Sequence, residues 1–199
     1  MAGRLLDVDA ESAHAHALEA VRRAGRVDVV REAAGIAAYR TGRYAEALRE
    51  LRTARRLGGG DDHIPLMADC ERGLGRPERA LALATEHAHG LLPEVAVELA
   101  IVVSGARLDL GEPEAALAVL STPPASRAQG ELAERVTEAR AAALLACGRD
   151  DEAAALLASL PVDDEVLVFD LAQEADEEPL DDGATGVESA APVDGEDGA

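Results

Sequence analysis

Few side chains in this sequence are of a type and spacing that could carry chemistry: five histidines, two cysteines and the arginine run Arg49, Arg52, Arg55 and Arg56. His14 and His16 stand two residues apart, as do His87 and His89. On a helix that spacing turns the two rings about 200° apart, whereas helical metal ligands sit three or four residues apart. His87 and His89 fall near an expected helix end, where the chain can turn, but capping or surface roles at helix C-termini account for histidines placed there. Cys70 and Cys147 are too far apart in sequence to suggest a disulfide framework, and each falls in an expected helical segment as a small apolar residue. The sequence contains no glycine-rich phosphate loop, no G-x-S-x-G elbow and no H-E-x-x-H pair. The expectation is therefore a non-catalytic protein with no metal and no cofactor.

The four arginines follow spacings of three, three and one, so three of them share a helical face. Glu46 and Glu50 lie within one turn of them, at ion-pair spacing. Two interpretations stand: a solvated outer face, or a docking patch for an acidic segment. All 19 basic residues are Arg, against 39 acids, for a net charge of −20. That charge divides as +3 over residues 1–60, −9 over 61–160 and −14 over 161–199. The balance argues against nucleic acid and against anionic membrane surfaces as partners. The alternative is a regulatory, nucleic-acid-associated protein that uses the N-terminal Arg surface, with the acidic tail competing for it.

Any such site must be positioned by helices. Ala occurs 43 times and aromatic side chains only three, too few for a β-sandwich or barrel. A repeat is visible at Gly75-Arg76-Pro77-Glu78-Arg79-Ala80-Leu81 and Gly111-Glu112-Pro113-Glu114-Ala115-Ala116-Leu117, with related segments beginning at Gly42 and Gly148. The glycines are 33, 36 and 37 residues apart. Seven residues before each stands a small side chain, Gly35, Ala68, Ser104 or Ala141. Five residues after stands Ala47, Ala80, Ala116 or Ala153, and four further on Leu51, Ala84, Leu120 or Leu157. This is the pattern of a helical hairpin. Glycine ends the first helix in a left-handed backbone, proline opens the second, and small residues let the axes approach closely. Helices are predicted over 9–24, 28–40, 43–57, 62–73, 77–88, 93–109, 113–120, 127–146 and 149–159. The first of these is expected to cap the array.

A unit of about 34 residues with these columns resembles the tetratricopeptide repeat, over Val27–Leu160 in four units. Unit one fits best, through Gly35, Gly42, Tyr44, Ala47, Leu51 and Ala54. Unit two departs at Ala84 and His87, units three and four lack the aromatic after the glycine, and no unit has the early Trp. The composition, free of Lys and rich in Ala, Arg and Gly, is similar to that of repeat proteins from high-GC actinobacteria. The resemblance implies an all-α, right-handed solenoid of four hairpins over residues 1–160, with another α-hairpin solenoid as the alternative. It also implies a concave groove, lined by the first helix of each unit, that binds an extended peptide or protein partner. Carried over by position, the groove residues are Glu32, Ile36, Tyr39 and Arg40; Asp62, Asp69 and Arg72; Glu98, Ile101, Leu108 and Asp109; and Arg135, Glu138 and Leu145. The Lys/Asn carboxylate clamp of the heat-shock co-factors in that family is absent, since the chain has neither residue. Arg40, Arg72 and Arg135 are the candidates for holding carboxylates instead.

Residues 161–199 hold 14 acids and no Arg and lose all periodicity, so an acidic, mostly disordered tail is predicted. One apolar island interrupts it, and Val166, Leu167, Val168, Phe169 and Leu171 are candidates for docking back on the groove. The opening residues have no apolar core of a secretory signal, and no apolar run approaches a membrane span of about 20 residues. A cytoplasmic protein is expected, and the last helix, 149–159, is open to capping either by the tail or by a second copy of the chain in a homo-oligomer.

Overall fold

Four glycines punctuate the fold. Gly42, Gly75, Gly111 and Gly148 have φ of +71°, +69°, +72° and +72°, the left-handed region that costs an L side chain a Cβ clash. The amide of the residue after each glycine donates to a carbonyl five residues back: Arg43 to Ala38, Arg76 to Glu71 and Arg149 to Leu144, all at 2.9 Å or less, and Glu112 to Arg107 at 2.9 Å. One helix-ending hydrogen-bond motif therefore recurs four times, wherever the sequence pattern places the repeat glycine.

The protein is described by a computed structural model over Leu6 and residues Val8–Pro161. Among the described residues there are nine α-helices, one short 3-10 turn and no strand. We number them α1 (Ala10–Ala24), α2 (Asp28–Arg40), α3 (Tyr44–Leu57), α4 (Ile64–Gly73), α5 (Pro77–Glu86), α6 (Pro93–Asp109), α7 (Pro113–Ser121), α8 (Glu131–Ala146) and α9 (Asp150–Leu157), with the 3-10 turn Ala125–Arg127 between α7 and α8. Pro77, Pro93 and Pro113 each open a helix, where a missing N–H removes no hydrogen bond.

The helices pack as hairpins, α2 with α3, α4 with α5, α6 with α7 and α8 with α9, and α1 lies against α2. The second helix of each hairpin also touches the first helix of the next, and α4 packs on α6 and α6 on α8. The repeat columns are what these contacts bury. Ala68, Ser104, Ala141, Ala47, Ala80, Ala116 and Ala153 are all 1% exposed or less. Gly35 is buried too, and a Cβ there would lie 2.6 Å from Leu51 Cγ, so only glycine lets α2 and α3 come this close. Leu51 and Leu120 are fully buried, whereas Leu157, their counterpart in α9, is 44% exposed. No further helix among the described residues covers that position.

Most predicted helix ends agree within two residues. The exception is 127–146: α8 begins at Glu131, because Ala128 is extended and Gly130 has φ of +58°, so Arg127 falls in the 3-10 turn instead. The N-terminal helix packs on the first hairpin through Ala17 against Ala34 and Ala37, with polar contacts beside them. Arg43 grips both oxygens of Glu11 at 2.9 and 3.0 Å, and His14, buried, lies 3.3 Å from Glu46.

Candidate interaction surface on the first helices of the hairpins

The first helices α2, α4, α6 and α8 carry all but one of the residues singled out for a groove; Asp62 lies in the turn just before α4. Most of the polar ones meet each other. The Tyr39 hydroxyl donates to Asp69 Oδ2 at 2.5 Å, joining α2 to α4. Arg72 Nη1 donates to the other Asp69 oxygen at 2.8 Å, one turn along α4. Arg72 also reaches α6, where Nε and Nη2 donate to the two oxygens of Asp109 at 2.8 and 3.3 Å. Four predicted groove residues thus form one chain of hydrogen bonds across three hairpins. A Cβ on Gly105 would lie 2.5 Å from the Arg72 guanidinium, so that glycine gives Arg72 its path along α6.

The electrostatics follow from this packing. Burial, helped by the Asp69 carboxylate, pushes the Tyr39 hydroxyl well above its ordinary range, so it stays protonated and donates. Burial would lower the Arg72 guanidinium, but Asp109 and Asp69 outweigh it and raise it further. The network sets one guanidinium and one hydroxyl donor against two carboxylates, so all four carboxylate oxygens take a hydrogen bond.

Two further cross-helix pairs use predicted residues. Arg135 on α8 hydrogen-bonds to Glu98 on α6, and these two hold the same position in consecutive repeats, 13 residues before Gly148 and Gly111. Glu32 on α2 lies 3.1 Å from His63 Nε2, just before α4. Ile101 packs against the core between α6, α7 and α8, Ile36 and Leu108 are half-buried, and Arg40, Glu138 and Leu145 are exposed.

Asp62 and Glu98 are brought together in a different setting. They edge a cleft of about 330 Å³ formed with Pro65, Leu66, Glu94, Val95 and Leu132. The cleft has an apolar floor from α4, α6 and α8 and three carboxylates at its edge. Sequence reasoning missed Pro65, Leu66, Glu94, Val95 and Leu132. The available signal was position: all five lie in the first turns of first helices, one turn from residues that were named.

The histidine pairs do not converge. His14 is buried and His16 exposed, while His87 is half-buried, 3.3 Å from an Arg55 nitrogen, and His89 is exposed. Among the described residues no group of three His, Cys, Asp or Glu side chains is placed to hold a metal, and no helix is long and apolar enough to cross a membrane. Both cysteines are free thiols; burial first, then Asp69 and Glu71, push Cys70 up to about 12. The apolar island Val166–Leu171 lies outside the described residues. No family model, curated protein or solved structure matches the chain.

Proposed function

We propose that this chain is a non-catalytic interaction scaffold of tetratricopeptide-like hairpins, which holds an extended segment of a partner protein against its first helices. The repeated glycine cap and the packing of α4 on α6 and α6 on α8 support an array of equivalent hairpins. The observation that carries the binding role is the cleft over α4, α6 and α8. Pro65, Leu66, Val95 and Leu132 give it an apolar floor, and the exposed Asp62 and Glu94 edge it with negative charge, Glu98 being paired with Arg135. An apolar hollow built on rigid helices takes a side-chain anchor, and the carboxylates select for Arg or Lys beside that anchor. The Tyr39–Asp69–Arg72–Asp109 chain serves a different purpose here. It fixes the relative placement of three hairpins, and with it the shape of the surface.

Selection of a displayed peptide library on the full-length chain tests this. Enriched peptides are expected to pair an apolar residue with neighbouring Arg or Lys. Reversing the exposed Asp62 and Glu94 to Arg is expected to weaken them roughly tenfold or more. Absence of enrichment, or enriched peptides indifferent to both reversals, would refute the proposal.

A further inference from the structure

A second hollow, of about 770 Å³, lies between α3 and the start of α4. Arg49, Arg52, Arg55 and Arg56 line it, with Asp61 as the one carboxylate and Met67 on its apolar part. Three of these arginines already hold carboxylates of the fold, although Arg49 keeps its Nη1 edge free of them and is 66% exposed. Arg52 Nη2 donates to buried Glu71 at 2.9 Å, and Arg55 Nε donates to Asp61 at 2.8 Å. Arg49 donates to buried Glu50 at 3.0 and 3.1 Å, and Glu50 takes a further bond from Arg31 at 2.5 Å. Among the described residues Arg56 donates to Thr53 Oγ1, at 3.3 Å, and no carboxylate of theirs lies within 4.0 Å of it. The hollow therefore presents surplus positive charge on a chain whose net charge is −20.

We infer that this hollow docks an acidic peptide segment of a partner protein, through two carboxylates on Arg49 and Arg56 and a small apolar side chain over Met67. The dimensions suit it. Arg49 and Arg56 are seven residues apart on one helix, a rise of about 10 Å. In a polyproline-type segment, residues three apart share a face and lie about 9 Å apart. Planar guanidinium groups pair with carboxylates through two parallel hydrogen bonds, as Arg72 does with Asp109 in this same fold. A nucleic-acid strand fits less well. Its evenly spaced phosphates would meet the Asp61 carboxylate in the lining and Glu46, which lies 3.8 Å from Arg49.

Fluorescence anisotropy on the full chain tests the inference. The probes are a labelled Glu-Glu-Pro-Val-Glu-Glu peptide, its all-Gln counterpart and a labelled oligothymidine. Saturable binding of the acidic peptide is expected, with the Gln peptide roughly tenfold weaker or more. Binding should weaken as salt rises from about 0.05 to about 0.5 M. Arg56→Glu should lower affinity roughly tenfold and Arg56→Gln by less, with an unchanged circular-dichroism melt. Arg22→Glu, on α1 away from the hollow, should leave it unaltered. Failure of the acidic peptide to saturate, equal affinity for the Gln peptide, tighter binding of oligothymidine, or an Arg56→Glu variant that binds like the parent would each overturn it.

Discussion

Removing Tyr39 and Asp69 singly and together measures whether the polar chain across α2, α4 and α6 holds the hairpins in register. The O···O distance is 2.5 Å, the acceptor is charged, and the Asp69 side chain is only 24% exposed. A hydrogen bond to a charged group nets about 1.5–3 kcal/mol, and partial exposure places this one at the lower end. Tyr39→Phe should therefore cost about 1.5 kcal/mol. Asp69→Ala should cost about 2.5 kcal/mol, since it also takes one carboxylate from Arg72, which keeps Asp109. In the double variant the Tyr39 hydroxyl has nothing further to lose, so its cost stays near that of Asp69→Ala and the coupling is about 1.5 kcal/mol. Urea unfolding followed by far-ultraviolet circular dichroism reads all three values. At about 2–4 °C per kcal/mol for a fold of this size, Tyr39→Phe should lower the melting temperature by roughly 3–6 °C. Additivity within about 0.3 kcal/mol would refute the reasoning, because the two residues would then be acting independently.

Other outcomes follow from the same contacts. Gly35→Ala gains about 1 kcal/mol of intrinsic helix propensity, yet its Cβ meets fully buried Leu51 at 2.6 Å; a net loss of about 1 kcal/mol in chemical denaturation is expected. Gly111→Ala, at φ of +72°, should cost about 1–2 kcal/mol, read as a lowered melting temperature. A thiol-reactive dye at pH 8 should label Cys147 in the native protein and both cysteines in denaturant, because Cys70 is fully buried and its thiol is pushed up to about 12. Since Cys70 stays neutral when folded and ionises near 9 when unfolded, its contribution to stability is complete below pH 9. It falls as pH rises from 9 through 12, and Cys70→Ala should flatten that decline in denaturation curves taken between pH 9 and 10, below the range where the buried Tyr39 adds a decline of the same sign.

Much of the helical architecture was legible in the sequence because it rests on backbone stereochemistry. A glycine in a fixed register, a proline two residues later in two of the four units and a small residue seven before define a hairpin by local rules. The columns they imply are the ones found buried. The pattern failed at two places. Ala128 and Gly130 break the helical run expected from 127, since Gly130 takes a left-handed φ of +58° that starts the helix only at Glu131. Leu157 fits the column of Leu51 and Leu120 but is exposed, because its burial depends on a neighbour rather than on its own hairpin.

The candidate surface was legible as a set of positions but not as a set of roles. Helical periodicity placed Tyr39, Asp69, Arg72 and Asp109 on first helices. It could not say that they would face each other across hairpins, which depends on spacings of 30 to 37 residues and on Gly105 making room. Glu98 and Arg135, expected to face a partner, pair with each other instead, although equal register in consecutive units and opposite charge were there to be read. The apolar floor was overlooked because Pro65, Leu66, Val95 and Leu132 resemble ordinary core residues in sequence. They become a surface only where three helix N-terminal turns leave a gap.

The proposed partner segment would lie across the N-terminal turns of α4, α6 and α8. Amide hydrogen exchange on the full chain, with and without a saturating library-selected peptide, tests it most directly. Added protection is expected over residues 62–67, 93–99 and 131–136, with little change in α1 or α9. Protection confined to other helices, or none at saturation, would contradict it.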